Sequence, residues 1–467
     1  MRREEMYYLQ NRWRLEGKVL KYYGLRNGDK LFQNTVKPNK KQIAIINKLP
    51  CELSEGEINQ VKKLLGEQIV EESNLRRTPK SLDEARFCVD CAANDFIIPG
   101  MEFDKQGRCP MCQTKEQTKA LRSVVPVMNN FPRSKKSRFD VAVFYTGGKD
   151  STYLLYYLSK KLNLRVLALT WEIPYISDCA RQSIENAKRN MPNVEFITRR
   201  VADCDLKVIY RRLYELSENT CSCPSLAYVL FYPELVATKT PYFVAGNETA
   251  QLMGLYYNHM APKIAYTFAN NKFLNFLINF GRVITLRPPL KKGQFHTLTT
   301  MKQLAYGDGP LVKASGYKNA LLSNVVDAIH RVPHIVKPLK GAIRRSTWSG
   351  NIPRFVQVDL DAISGGKYDW KEIKDTLVRE CGWVAPEITD KGLHTSCKIE
   401  KCKEYSQFKR FYYMQSDMIP FSALEISIAS RNGNATRDDA VKEMRTALGL
   451  TLDEPPECAI MKGYIEQ

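Results

Sequence analysis

A doubly wound α/β fold with a parallel sheet is predicted for the centre of this chain by three observations. Four short apolar runs recur, at 141–145, 165–170, 194–198 and 242–245. Helical patterns separate them, at 151–162, about 178–190 and about 205–217, and such alternation is the pattern of a parallel sheet. The first run, Val141 to Tyr145, is apolar at every position, as a strand buried on both faces is.

In chain order, residues 1–82 read as a small α/β domain. Residues 41–46 read as a strand, Ser54 as the N-cap of a helix with Ile58, Val61, Leu64 and Leu65 on one face, and Ile69 with Val70 as a returning strand. This order resembles the small winged-helix peptide-binding modules of natural-product maturation enzymes. Residues 83–118 carry Cys88 and Cys91, then Cys109 and Cys112, in the spacing C-x2-C-x17-C-x2-C. Each pair makes a knuckle that directs two thiolates to one point, so these four cysteines read as a closed, structural zinc site. An iron–sulfur cluster is the alternative. Residues 103–107, between the pairs, read as a hairpin turn.

Residues 136–281 hold the α/β pattern. Thr146, Gly147 and Gly148 turn the chain after the first strand, and Asp150, Ser151 and Thr152 open a helix with Tyr153, Leu154, Leu155, Tyr157 and Leu158 on its apolar face. Strand, glycine turn and helix start together make an anion cradle: glycine admits close backbone approach, and the first-turn N–H groups and helix dipole favour negative charge. Lys149 adds what reads as a mobile positive charge; Thr146 and Ser151 add hydroxyls. Ligands of open α/β sheets bind beyond the carboxyl ends of the strands. That rule gathers Thr146–Ser151, Thr170–Glu172 and Gly246–Glu248 around one crevice.

Residues 282–350 read as a basic insertion or lid. Within 282–345, twelve Lys and Arg stand against Asp308 and Asp327, a net +10 and half the charge of the whole chain. Interleaved apolar residues argue for folded structure there. A phosphate-binding lid, a nucleic-acid face and a solvated surface all fit the composition. Residues 351–467 read as a helical part completing the same domain, with Thr436 as an N-cap before Asp438 and Asp439.

Length and composition set bounds. At 467 residues, with 44% hydrophobic and 26% charged residues, the chain is expected to form two or three domains around ordinary cores. No apolar stretch follows Met1, and the best candidate span, Phe273–Leu286, is interrupted by Asn275, Asn279, Gly281 and Arg282. No transmembrane segment and a cytoplasmic location are therefore expected. Thirteen cysteines in such a chain point to metal or thiol chemistry rather than disulfides. A net charge of +20 points to anionic partners.

The loop lacks the four-residue spacer and Gly-Lys-Ser/Thr ending of a Walker motif. Thr146 to Ser151 instead resembles the Ser-Gly-Gly-x-Asp-Ser loop of the PP-loop ATP pyrophosphatases, with Thr146 keeping the hydroxyl of the first serine. Together with the cysteine knuckles, Gly246–Glu248, Gly382–Trp383, Thr395–Cys397 and Thr436–Ala440, the chain over roughly residues 86–448 is similar to the N-acetyl sugar amidotransferases of surface-polysaccharide biosynthesis. The resemblance implies ATP and Mg2+ as cofactors. It implies contacts to the nucleotide from Thr146, Gly147, Gly148, Lys149, Asp150, Ser151, Thr152, Thr170, Gly246 and Glu248, with catalytic roles for Lys149 and Asp150.

The implied chemistry is adenylation of a carbonyl or amide oxygen with release of pyrophosphate, followed by displacement of AMP by a nucleophile. In the amidotransferases the nucleophile is ammonia and the acceptor an N-acetyl sugar, carried as a nucleotide-sugar or lipid-linked sugar. Arg2 follows Met1 where a glutaminase of the N-terminal-nucleophile type would have cysteine, so a separate glutaminase subunit is expected to supply ammonia. In thiolating relatives, which act on tRNA or a small metabolite, a cysteine near Cys221 and Cys223 handles sulfur or binds an iron–sulfur cluster. These two residues are therefore candidates for catalysis in an alternative sulfurtransferase reading.

Overall fold

The computed structural model describes residues 6–31, 33–66, 68–72, 76–114, 126–220, 222–258, 272–309, 320–386 and 397–466. The chain divides into two compact units. One comprises Met1–Lys115, Gln407–Arg431 and Thr436–Asp453; the other comprises Glu116–Ser406, Asn432–Ala435 and Glu454–Gln467.

The first unit contains β1 (Met6–Leu9), β2 (Trp13–Glu16), β3 (Val19–Tyr22), β4 (Thr35–Val36), β5 (Cys51–Glu52) and β6 (Val70–Glu71). They pair antiparallel in two small sheets, ordered β5-β1-β6 and β2-β3-β4. Residues 41–46, read from sequence as a strand, are instead part of helix α1 (Lys40–Ile46). The β-branched content of this stretch is overridden at its start. Asn39 accepts from the Gln42 N–H while the Gln42 side chain accepts from the Asn39 N–H, a reciprocal cap. Burial of Ile45 and Ile46 in the core of Trp13, Tyr22, Val61 and Leu64 then holds the helix. Helix α2 (Glu55–Leu65) starts at Ser54 with the same device, Glu57 closing the box.

In the second unit, β7 (Val141–Phe144), β8 (Val166–Trp171), β9 (Val194–Arg199), β10 (Tyr242–Asn247) and β11 (Arg354–Asp359) form one parallel sheet in the order β11-β10-β7-β8-β9. The four sequence-read strands are these within two residues at either end. The fifth, β11, lies in the stretch read as helical: six residues with two charged ends give too short an apolar run to stand out. Ala142, Leu167, Leu169 and Phe243 pack on Phe231 and Leu235 of a long helix at one face. Val141, Val143, Val166 and Ala168 alternate with them, point the other way, and are equally buried. Both faces are covered, as a doubly wound sheet requires.

The chain runs outward from β7 to β8 and β9, then returns to place β10 on the other side of β7. The order therefore reverses between β7 and β10, and the crevice beyond their carboxyl ends is the switch point of the sheet. The basic stretch carries, among the described residues, α8 (Lys272–Ile284), α9 (Gln294–Tyr306), α10 (Ala320–Ile329) and α11 (Pro333–Ser349), numbered after α3 (Lys149–Tyr156), α4 (Asp178–Asn190), α5 (Asp203–Ser217), α6 (Cys223–Ala237) and α7 (Thr249–Tyr257). Among the described residues no helix is long and apolar enough to cross a membrane.

Candidate nucleotide site

At the end of β7, Thr146 is exposed, Gly147 is buried, and Gly148 is the N-cap of α3. Gly147 has φ +75°, and a Cβ on it would stand 2.5 Å from the carbonyl oxygen of Ala180 in α4. Only glycine fits both demands. Gly148, by contrast, is extended (φ −77°, ψ 164°), a conformation open to any residue, and as N-cap it makes no side-chain cap bond. The first-turn N–H groups of α3 lack an intrahelical acceptor, and the glycine N-cap brings no side chain to them. The hydroxyls of Thr146 and Ser151 lie 3.1 Å apart beside them. Thr152 is turned back, donating to the Gly148 carbonyl at 2.8 Å.

Beneath the loop lies a buried polar cluster. Lys149 is 4% exposed. Its Nζ sits 2.8 Å from Asp150 Oδ1 and 3.8 Å from Glu248 Oε1, and it faces the rings of Tyr368 and Trp370 at 4.5 and 4.9 Å. The sequence expectation of a mobile charge is corrected here: two carboxylates and two aromatic faces hold the ammonium inward. Asp150 accepts from the Tyr368 hydroxyl at 2.8 Å and from Gln251 Nε2 at 2.9 Å. Burial alone would raise its carboxyl; the neighbouring Lys149 ammonium and the Tyr368 and Gln251 hydrogen bonds outweigh that and hold it below the ordinary value. Burial, with the charges of Asp150 and Glu248, pushes the Tyr368 phenol well up, so Tyr368 stays a donor.

Glu248, wholly buried, accepts from Trp370 Nε1 at 3.1 Å and Asn434 Nδ2 at 2.8 Å. Asp361 accepts from the Thr249 N–H and hydroxyl at 2.7 and 2.9 Å, fixing the start of α7. The oxygens of Asp150 and Glu248 accept from these protein donors. They fit the role of fixing Lys149 and the loop.

The other sequence candidates divide. Thr170 is 4% exposed and donates to the Tyr145 carbonyl at 2.9 Å, so its hydroxyl ties β8 to the end of β7. Gly246 lets β10 pass under Leu360, whose Cδ2 would be 2.8 Å from an added Cβ. These two contribute to the walls of the crevice through packing. Cys223 is half-buried at the first position of α6, and Cys221 lies outside the described residues.

Several residues of this site carried no role in the sequence reading. Trp383, 2% exposed, donates from Nε1 to the Gly147 carbonyl at 3.0 Å and so clamps the loop from below. It is delivered by helix α12 (Trp370–Cys381), whose left-handed Gly382 turns the chain and is itself held by Asn186 of α4 at 2.6 Å. Gln251, Tyr368, Trp370 and Asn434 complete the set. Gly382–Trp383 was visible as a motif, but its target lies 236 residues earlier.

In the first unit, the Sγ atoms of Cys88, Cys91, Cys109 and Cys112 all lie within 4.8 Å of one another. The Cys88–Cys112 and Cys91–Cys109 separations are 3.8 and 3.7 Å. A tetrahedron with metal–sulfur bonds of about 2.3 Å has edges of about 3.8 Å, so the set fits one zinc ion. An iron–sulfur cluster would spread its thiolates by the width of its core. The backbone N–H groups of Asp90 and Cys109 donate to Cys88 Sγ at 3.4 and 3.2 Å, and that of Ala93 to Cys91 Sγ at 3.4 Å, which offsets thiolate charge. Asp104 and Gly107 close the turn between the knuckles, as read from sequence. Arg437, from the Thr436–Ala440 motif, donates two hydrogen bonds to the Cys88 carbonyl at 2.9 and 3.1 Å.

No protein-family model matches the chain, and no curated protein matches it. Among solved structures, a match is the U34-tRNA thiolase NcsA from Methanococcus maripaludis with its 4Fe-4S cluster. The match has 16% identity, covers 57% of this chain and 88% of that chain, and has a TM-score of 0.21.

Proposed function

We propose that the second unit is an ATP pyrophosphatase of the PP-loop type, which adenylates a carbonyl or amide oxygen and releases pyrophosphate. The observation that carries this reading is the glycine turn and helix start at Gly147 and Gly148, flanked by the Thr146 and Ser151 hydroxyls at the switch point of a parallel sheet. Such a cradle suits a pyrophosphate unit. ATP is the group it would hold, through the backbone of Gly147 and Gly148, the first turn of α3, and those two hydroxyls. Lys149 supplies buried positive charge behind the loop as charge grows on the leaving pyrophosphate. Asp150 and Tyr368 are positioning residues for that lysine. Magnesium would arrive on the phosphates.

The acceptor oxygen attacks the α-phosphorus and pyrophosphate leaves with the electron pair of the broken P–O bond. The nucleophile then adds to the activated carbon and AMP leaves with the original oxygen. With ammonia and an N-acetyl sugar, the acetamido group becomes an acetamidino group. This finer reading is supported by contacts between the motifs that carry the sequence resemblance: Trp383 reaches Gly147, Glu248 reaches Lys149, and Arg437 reaches Cys88. A sulfur nucleophile is the second reading. It draws on Cys223, which begins a 15-residue helix where the dipole favours negative charge.

The experiment is product analysis with ATP labelled at the α- and γ-phosphates, in the presence of N-acetyl sugar acceptors and ammonium, or of sulfide donors and tRNA. Acceptor-dependent AMP and pyrophosphate are expected. Steady formation of ADP and phosphate would overturn the assignment. Turnover that survives Cys223→Ser with ammonium excludes the sulfur reading.

A further inference from the structure

Helix α8 is turned inside out. Its polar side chains face the protein: Asn279 exchanges hydrogen bonds with the backbone of Leu290 at 2.8 and 3.2 Å. Arg282, buried, donates to the carbonyls of Pro288 and Thr347 at 2.8 and 3.1 Å. One apolar face is turned to solvent. Phe273, Phe276, Leu277, Phe280, Val283 and Ile284 recur at helical spacing and are all exposed, Phe276 by 63%. Leu286, just beyond the helix, is 88% exposed. A surface helix normally does the reverse, and a contiguous apolar patch of this kind marks a docking site.

We infer that this face docks on a lipid bilayer containing anionic lipid, with α8 lying in the plane of the interface. Three features favour a bilayer. The helix is 13 residues long, about 20 Å at 1.5 Å per residue, too short to cross a hydrocarbon layer of about 30 Å but sufficient to lie in its surface. Between residues 272 and 307 the sequence has six Lys or Arg and no Asp or Glu, so Lys272, Arg287, Lys291 and Lys292 flank the apolar strip along the chain with no acidic residue among them. Protein-binding faces are depleted in lysine, whereas interfacial helices combine a basic rim with aromatic anchors. Trp348 supplies one more anchor: it is 54% exposed, with the Arg287 guanidinium 4.6 Å above its ring. The inference does not depend on the reaction assigned to the loop.

The test is flotation of the full chain with vesicles of phosphatidylcholine alone and of phosphatidylcholine mixed with phosphatidylglycerol, repeated at high salt. Binding to the mixed vesicles is expected, weakened by salt and weak on phosphatidylcholine alone. Phe276→Ser with Phe280→Ser should lower it by roughly tenfold or more, with the far-ultraviolet spectrum unchanged. Leu286→Ser, at a site that packs on little, provides a second variant and should lower it severalfold. No binding by the native chain overturns the inference. So does equal binding by the serine variants, which would leave the basic charge as sole cause. A dimer that the serine variants dissolve, without vesicle binding, would assign the face to a second copy instead.

Discussion

The two loop glycines should respond to alanine in opposite ways. At Gly147 an alanine must hold φ +75°, which costs an L-residue about 1–2 kcal/mol. Its Cβ would also lie 2.5 Å from the Ala180 carbonyl oxygen and 3.1 Å from the Ala180 carbonyl carbon. Those atoms belong to the backbone of α4 and cannot swing away, so the loop must move. Movement breaks or lengthens the 3.0 Å hydrogen bond from Trp383, worth about 0.5–1.5 kcal/mol. The sum is about 1.5–3.5 kcal/mol, all of which ATP must repay to restore the cradle. Affinity should fall by about tenfold or more, and thermal unfolding should shift down by several degrees. At Gly148, φ −77° and ψ 164° suit alanine, and the N-cap preference costs only about 1 kcal/mol. Gly148→Ala should unfold close to the native temperature yet bind ATP poorly, because its Cβ stands where phosphate oxygens approach. Calorimetric ATP titration and thermal scans of both variants form the assay. Native ATP affinity in Gly147→Ala would refute the requirement for this loop conformation. Native affinity in Gly148→Ala would refute close backbone approach at that residue.

Other outcomes can be checked independently. Tyr368→Phe removes the 2.8 Å donor to Asp150; turnover should fall by about tenfold with little change in ATP affinity, and unchanged turnover would remove Tyr368 from the positioning set. Asp140, fully buried, is held at about 2 against an ordinary 3.8: burial raises it, but hydrogen bonds from Arg165 and from the Arg165 and Ser134 N–H groups prevail. Its folded value is depressed, so its stabilisation of about 2 kcal/mol is fully present above the unfolded value and is lost as pH falls from about 4 through about 2. Asp140→Asn should lower stability at neutral pH and flatten the unfolding profile across that acid window; a profile unchanged from the native one would contradict the assignment. Elemental analysis should find about one zinc per chain at the four cysteines, and protein that stays folded and metal-free as Cys88→Ser with Cys91→Ser would show that the knuckles need no ion.

The sequence by itself determined the parts of this protein that depend on neighbours in the chain. Paired C-x2-C knuckles, the glycine turn between an apolar strand and a helix, and the caps at Ser54 and Thr436 are local, because a turn, a cap or a chelate pair is closed within a few residues. Residues 41–46 show the limit of local reading: the Asn39–Gln42 box and a core partner settled a stretch whose composition favours a strand. Tertiary structure alone decided the working parts of the loop. Lys149 faces inward because Tyr368, Trp370 and Glu248 come from elements 99 to 221 residues away, and no pattern along the chain records which faces will meet. Gly147 and Gly148 are equivalent in sequence and become distinct only where Ala180 and Trp383 pack on one of them. The orientation of α8 is likewise a tertiary fact: its periodicity shows two faces, and only the anchoring of Arg282 and Asn279 shows that the apolar one is turned outward.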